Sequence, residues 1–113
     1  MEKMVAVVNG GAGGIGRAVV RRLGEAGYAI FILDKNQQVG SEILEELRRQ
    51  GCQAEYRAVE LTNAAQLKNV FAEIHRAAGR IDLLVNLAGG TLHKHPVQEF
   101  PLSEWREVID VNL

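Results

Sequence analysis

The segment Val8-Asn9-Gly10-Gly11-Ala12-Gly13-Gly14-Ile15-Gly16-Arg17 carries much of the glycine in a chain that has 12 glycines in all. Glycine allows a turn to take positive φ, an anion to approach the backbone with no Cβ in the way, and a helix to pack closely on a strand. Where such a loop leaves a strand and enters a helix, its free N–H groups converge on a point that can hold a phosphate. Two spacings overlap here. Gly11, Gly13 and Gly16 fit the general dinucleotide pattern, while Gly10, Gly14 and Gly16, with Ile15 between the last two, fit a wider one. A glycine turn that binds nothing is the plain alternative. A nucleoside-triphosphate loop is disfavoured, because Arg17 and Ala18 stand where the lysine and the magnesium-binding hydroxyl belong.

Asp34 is a second and independent signal. It follows the next apolar run at the distance where an acidic side chain meets an adenosine ribose, and its carboxylate can accept from both ribose hydroxyls. A 2′-phosphate there would be repelled, so NAD is the expected cofactor; Lys35 beside it softens the repulsion and keeps NADP possible. The competing reading of Asp34 is a solvated loop carboxylate. His93-Lys94-His95 invites a metal reading, but two histidines need further ligands and no cysteine or acidic cluster is evident nearby. The expectation is therefore no metal and a solvated basic loop, with contact to an anionic substrate as a further possibility. Cys52 is the lone cysteine, which removes an internal disulfide and a thiolate metal site.

These residues need elements to position them. Met4 to Val8, Ala29 to Leu33 and Ile81 to Leu87 are nearly continuous apolar runs, the pattern of parallel strands covered on both faces. Ala54 to Val59 alternates instead, which predicts a half-exposed edge strand. Helical spacing joins Ile15, Val19 and Leu23; then Val39, Ile43 and Leu47; then Leu67, Val70, Phe71 and Ile74. Gly27, Gly51 and Gly79 read as helix stops, and Asn63 with Gln66 as a capping box. A last helix opens near Ser103, after Pro101, and carries Trp105, Val108 and Ile109. The predicted order is βαβαβαβα, an α/β fold of the Rossmann-type doubly wound parallel sheet in a single domain over residues 1–113. One reversal of winding opens a ligand crevice at the strand carboxyl ends, and the long connection from Ala88 to Leu102 lies at that end.

Composition agrees with a globular chain: 113 residues, 47% hydrophobic, 24% charged, net charge -1. The balance of charge leaves no footprint for nucleic acid, and the first apolar run is too short for a membrane span. The expectation is a soluble, cytoplasmic protein with no nucleic-acid or membrane partner.

Taken together, the motifs resemble the short-chain dehydrogenases/reductases. The spacing of Gly10, Gly14 and Gly16 is that family's. Asp82-Leu83-Leu84-Val85-Asn86-Leu87-Ala88-Gly89 is similar to its fourth strand with an Asn-Asn-Ala-Gly ending, and Trp105 through Asp110-Val111-Asn112-Leu113 to the helix bearing its catalytic asparagine. Glu60-Leu61 stands where the family has an acidic residue and an aliphatic one beside the adenine ring. The resemblance implies the N-terminal, NAD(P)-binding portion of an oxidoreductase that moves hydride between a nicotinamide dinucleotide and an alcohol or carbonyl substrate. It also implies a sheet completed elsewhere and a homo-oligomer when complete. Cofactor contacts would come from Gly10, Gly14, Ile15, Gly16, Asp34, Glu60, Leu61, Asn86, Ala88 and Gly89, with Gly90 easing approach of a ribose; Asn112 would organise a lysine and a water.

Three residues depart from the pattern. Asn9 replaces a threonine, with an amide still able to tie the loop to a neighbouring strand; Leu87 replaces the second asparagine; Glu60 replaces the commoner aspartate. The family's proton-transfer pair is Tyr-x-x-x-Lys, whereas Tyr28 is followed four on by Ile32 and Tyr56 by Glu60. By itself the chain is not expected to turn over. The alternatives are a non-catalytic dinucleotide-binding or sensing module, and a methyltransferase half; the Asn86 strand ending and the Asp110-Val111-Asn112 helix argue against the latter.

Overall fold

The computed structural model describes residues 3–89 and 92–113. In chain order the elements are β1 (Val5–Asn9), α1 (Gly14–Glu25), β2 (Ala29–Asp34), α2 (Gln37–Arg49), β3 (Ala54–Ala58), α3 (Ala64–Ala78), β4 (Leu83–Asn86) and α4 (Leu102–Asn112), with a short 3-10 turn at Val97–Glu99 before α4. The strands are parallel and ordered β3-β2-β1-β4. The chain thus steps outward from β1 to β3, then returns to add β4 on the far side of β1.

Two apolar layers sandwich the sheet. Val8, Ile30, Ile32 and Tyr56 pack with Val20 of α1 and Ile43 and Leu47 of α2. Val5, Val7, Phe31 and Leu33 pack on the other face with Val70 and Ile74 of α3. Helices α1 and α2 therefore cover one face and α3 the other, as a doubly wound sheet requires, and the reversal falls between β1 and β4. Their carboxyl ends flank the crevice.

The residue runs explain the inner strands. β1 and β2 are buried on both faces because each alternate set of Val, Ile, Leu or Phe meets a helix layer. β3 is an outer strand in which Ala54 and Tyr56 are buried while Glu55 and Arg57 are half-buried, in line with its alternating pattern. β4 departs from expectation. Its apolar run predicts cover on both faces, yet Leu84 is 48% exposed. The cause is its place in the order: β4 is the other outer strand, paired to β1 alone.

α1 presents a different face from the one its periodicity suggests. Ile15 is exposed, whereas Gly16 and Val20 are buried and Leu23 is half-buried. A Cβ on Gly16 would lie 2.6 Å from the Gly10 carbonyl oxygen and from the Gly11 backbone. The helix seats its glycine on the loop, and that contact turns Ile15 outward. α3 is capped at Asn63, whose side-chain oxygen accepts from the Gln66 N–H at 3.0 Å. The reciprocal bond of a capping box is redirected, since Gln66 accepts from the Glu60 N–H at 3.0 Å. The helices stop at Gly27, Gly51 and Gly79 as their positions predict. Among the described residues no helix is long and apolar enough to cross a membrane.

Candidate functional site

The glycine loop is fixed at the carboxyl end of the sheet by its own backbone. Gly10 N–H donates to the Leu33 carbonyl at 2.7 Å, and Ala12 N–H donates to Asp34 Oδ2 at 3.2 Å. Gly10 takes φ +78°, and a Cβ there would lie 2.5 Å from the Ala88 nitrogen. Gly10 and Gly16 are therefore required by the fold. Gly14 is not: a Cβ there would meet nothing within 4 Å. It opens α1, whose first turn has no side-chain cap and no acidic residue. First-turn N–H groups lack intrahelical partners, so this end keeps backbone donors free of the helix's own bonding.

Around the loop lies a cleft of about 320 Å³ whose lining includes Gly10, Asp34, Glu60, Leu61, Ala88 and Gly89. The fold thus brings six of the sequence candidates together. Asp34 ends β2 with both carboxylate oxygens engaged, Oδ1 accepting from the Lys35 N–H at 2.8 Å and Oδ2 from Ala12. Glu60 curls onto its own turn, where Oε1 accepts from the Thr62 hydroxyl at 3.0 Å. Leu61 packs against the core layer on the α3 face. Ile15 stands exposed on the first turn of α1, beside Gly14.

Asn86 does not line the cleft; its Oδ1 accepts from Asn9 Nδ2 at 2.6 Å. Asn112 reaches the end of β4 from α4. A Cβ on Gly89 would lie 2.5 Å from Asn112 Oδ1, and Asn112 Nδ2 donates to the Val108 carbonyl at 2.8 Å. Gly90 lies outside the described residues. Leu92, outside every motif, and Val111, inside the Asp110-Val111-Asn112 motif but given no role there, also line the cleft. Their only sequence signal is adjacency, Leu92 to the strand-end glycines and Val111 to Asn112. A larger hollow of about 610 Å³ opens at the opposite, amino end of the strands, near Lys3 and Arg48, and none of the candidates lines it.

The histidine segment adds contacts that the sequence pattern does not show. His93 Nε2 lies 2.8 Å from Glu107 Oε2, and His93 Nδ1 lies 3.5 Å from Glu104 Oε1. His95 Nε2 approaches Glu104 Oε2 at 2.6 Å, without the alignment of a hydrogen bond. The segment is largely exposed, Lys94 and His95 included, as a solvated loop would be, and its histidines meet two carboxylates one turn apart on α4. Both carboxylates come from α4, a separate element further along the chain. Hydrogen bonding to Glu107, with the charges of Glu104 and Glu107, raises the His93 pKa above its ordinary value against a smaller desolvation effect. Among the described residues no group of three or more His, Cys, Asp or Glu side chains is arranged to hold a metal.

Neither tyrosine lines the cleft. Tyr28 packs at the margin of the α1–α2 layer. Tyr56 is buried, donates to the Asn36 carbonyl at 2.7 Å, and has its pKa pushed up to about 12 by burial and by the Asp34 charge.

The family model for short chain dehydrogenase matches residues 4–113. The chain belongs to the short-chain dehydrogenase family. It is 30% identical over 112 residues to a 3beta-hydroxysteroid dehydrogenase of Mediterraneibacter gnavus, covering 99% of this chain and 41% of the relative. It is 32% identical over 109 residues to a cyclopentanol dehydrogenase of Comamonas testosteroni, covering 96% of this chain and 43% of that one. Among solved structures, an actinorhodin polyketide ketoreductase with NADPH superposes with TM-score 0.93 at 29% identity, covering 100% of this chain and 44% of that chain. A metagenomic short-chain oxidoreductase in complex with NADP gives 0.93 at 31% identity, covering 100% of this chain and 51% of that one. The chain spans less than half the length of the curated relatives it matches.

Proposed function

We propose that residues 1–113 form the NAD-preferring cofactor-binding portion of an oxidoreductase that interconverts an alcohol and a carbonyl compound. Membership of a family of oxidoreductases supports the reaction class. The observation that supports the cofactor is the cleft at the strand carboxyl ends, in which Gly10 and Gly13 of the glycine loop face Asp34, Glu60, Ala88 and Gly89. Pyrophosphate oxygens would sit on the N–H groups of Gly14, Ile15 and Gly16, with Gly10 holding the turn. Asp34 would accept from the adenosine ribose, and Glu60 and Leu61 would flank the adenine. Ala88 and Gly89 would leave room for the second ribose, Asn86 would hold the β4 end that carries them, and Asn112 would play its auxiliary part there.

When bound, the nicotinamide ring supplies hydride transfer. The chain's own residues bind and orient the dinucleotide, and no Tyr-x-x-x-Lys pair stands among the 113 residues to move the accompanying proton. A positioned proton donor contributes about 10²–10⁴-fold, so residues 1–113 alone bind without turning over. The alternative is a non-catalytic dinucleotide-binding module. Sequencing the coding region beyond Leu113 separates the two: a Tyr-x-x-x-Lys pair supports the oxidoreductase, and an immediate stop codon supports the module. For the cofactor itself, NADH and NADPH are titrated against the chain by nicotinamide fluorescence. NADH binding more tightly than NADPH is expected, and equal or reversed affinities would contradict the assignment.

A further inference from the structure

Tyr56 lies outside the cleft yet touches the turn that holds Asp34. Its hydroxyl donates to the Asn36 carbonyl at 2.7 Å, an oxygen that also accepts the Gly40 N–H at 3.0 Å. Asn36 caps α2 with its side chain, accepting from Val39 N–H at 3.1 Å. Two residues upstream, the Asp34 carbonyl accepts from Val59 N–H at 2.8 Å, and its carboxylate takes the Lys35 and Ala12 amides. The turn is therefore gripped from β3, from the glycine loop and from the helix it starts.

Gly40 explains how the ring reaches that place. A Cβ on Gly40 would lie 2.2 Å from Tyr56 Cζ, so the tyrosine ring occupies the volume of the missing side chain. Tyr56 is only 8% exposed, and its hydroxyl is the polar end of a ring otherwise inside the apolar layer. A helix-interior glycine and a buried tyrosine are each unfavourable alone, the first for helix propensity and the second for its hydroxyl. Together they form one device. Its output is the fixed direction of the chain between the end of β2 and the start of α2.

We infer that Tyr56, seated on Gly40, is a positioning residue for Asp34: it holds the 34–36 turn so that the carboxylate stands ready for a ribose diol. This rests on the dinucleotide reading proposed above for what Asp34 binds, while the grip on the turn stands without it. Removing the hydroxyl loosens the turn and costs affinity only while the Asp34 carboxylate is there to be aimed.

The test is a double-mutant cycle with a second, cofactor-free readout. Tyr56→Phe is expected to weaken NADH binding about threefold in the native background and to change it little in an Asp34→Ala background, because coupled residues are not additive. Equal losses in both backgrounds would overturn the inference. In parallel, amide hydrogen exchange is followed without cofactor. Tyr56→Phe is expected to speed exchange at Lys35, Val39 and Gly40, whose N–H groups are bonded within the turn, and to leave Val7 and Ile32 in the core unchanged. Gly40→Ala, which displaces the ring rather than removing the hydroxyl, is expected to give the same local pattern. Unchanged exchange at those amides overturns the grip whether or not NADH binds, whereas failure of the native chain to bind NADH sinks only the dinucleotide reading.

Discussion

Asn9 Nδ2 donates to Asn86 Oδ1 at 2.6 Å, joining the last residue of β1 to the last residue of β4 across the register Asn9↔Asn86. The bond sits where the sheet reverses its winding. It ties the two strand ends from which the glycine loop and the Ala88–Gly89 segment continue into the same cleft. Asn9→Ala and Asn86→Ala are each expected to cost about 1 kcal/mol in urea unfolding, the net worth of one such bond. The double variant is expected to cost less than the two together. Full additivity would show that the pair does not act as a clasp.

Glycines of one motif are expected to separate by role. Gly16→Ala forces a Cβ to 2.6 Å from backbone and is expected to cost about 2–3 kcal/mol of stability. Gly14→Ala meets nothing within 4 Å and starts a helix, so its stability is expected to stay level or rise by up to about 1 kcal/mol. NADH affinity is nevertheless expected to fall about tenfold, because the added methyl enters the proposed phosphate cradle. Chemical denaturation and NADH titration on the two variants check both halves of this contrast.

Asp34→Ala removes a charge-assisted acceptor worth about 1.5–3 kcal/mol. NADH affinity is expected to drop about 10- to 100-fold and the preference over NADPH to vanish. A variant that keeps the native NADH-to-NADPH ratio would show that Asp34 does not select the cofactor.

His93 sets a pH dependence on the packing of its segment against α4. Hydrogen bonding to Glu107 leads the rise in its pKa, with Glu104 and Glu107 charges adding to it, and Lys94 is the cation next to it in the chain. A histidine whose folded pKa is raised stabilises fully below its unfolded value of about 6.5, and the contribution is lost as pH rises through the folded pKa. Local protection of 92–100 is therefore expected to weaken as pH rises above about 6.5, with the midpoint read from the His93 ring resonances by NMR. His93→Gln is expected to flatten that dependence. A His93 midpoint at or below 6.5 would contradict the assignment.

Leu84 on β4 and Trp105 and Ile109 on α4 are exposed at 48%, 48% and 40%. An outer strand and a helix that each expose apolar side chains invite association. The isolated 113-residue chain is expected to self-associate in light scattering, and Leu84→Lys to reduce it. A monodisperse monomer with a cooperative melt would run against this.

What was legible in the sequence was whatever depends on local pattern. The glycine loop, Asp34, the β3 alternation and the glycine helix stops all follow from residue type and spacing, because turn geometry and burial period are set within a few residues. The hydrophobic period misread α1, since seating Gly16 on the loop decides which way Ile15 turns. It misread β4 as well, because cover on a strand depends on neighbours far off in sequence. The carboxylates facing His93 and His95, and the fit of Tyr56 on Gly40, depend on contacts between separate elements. A mid-helix glycine carried a hint, since it costs about 1 kcal/mol relative to alanine and calls for a packing reason.

The strand order carries a consequence for how the site is made. β1, β2 and β3 pair with partners close behind them in sequence, whereas β1 must wait for residues 83–86 to gain its second neighbour. During synthesis the adenosine side of the proposed site, from Gly10 through Asp34 to Glu60, leaves the ribosome as one contiguous stretch that can form its pairings at once. The nicotinamide side arrives only with β4 and α4. On the proposed reading the nascent chain would acquire the adenosine half of its site before the nicotinamide half, and a bound dinucleotide would bridge the early and late parts of its own receptor.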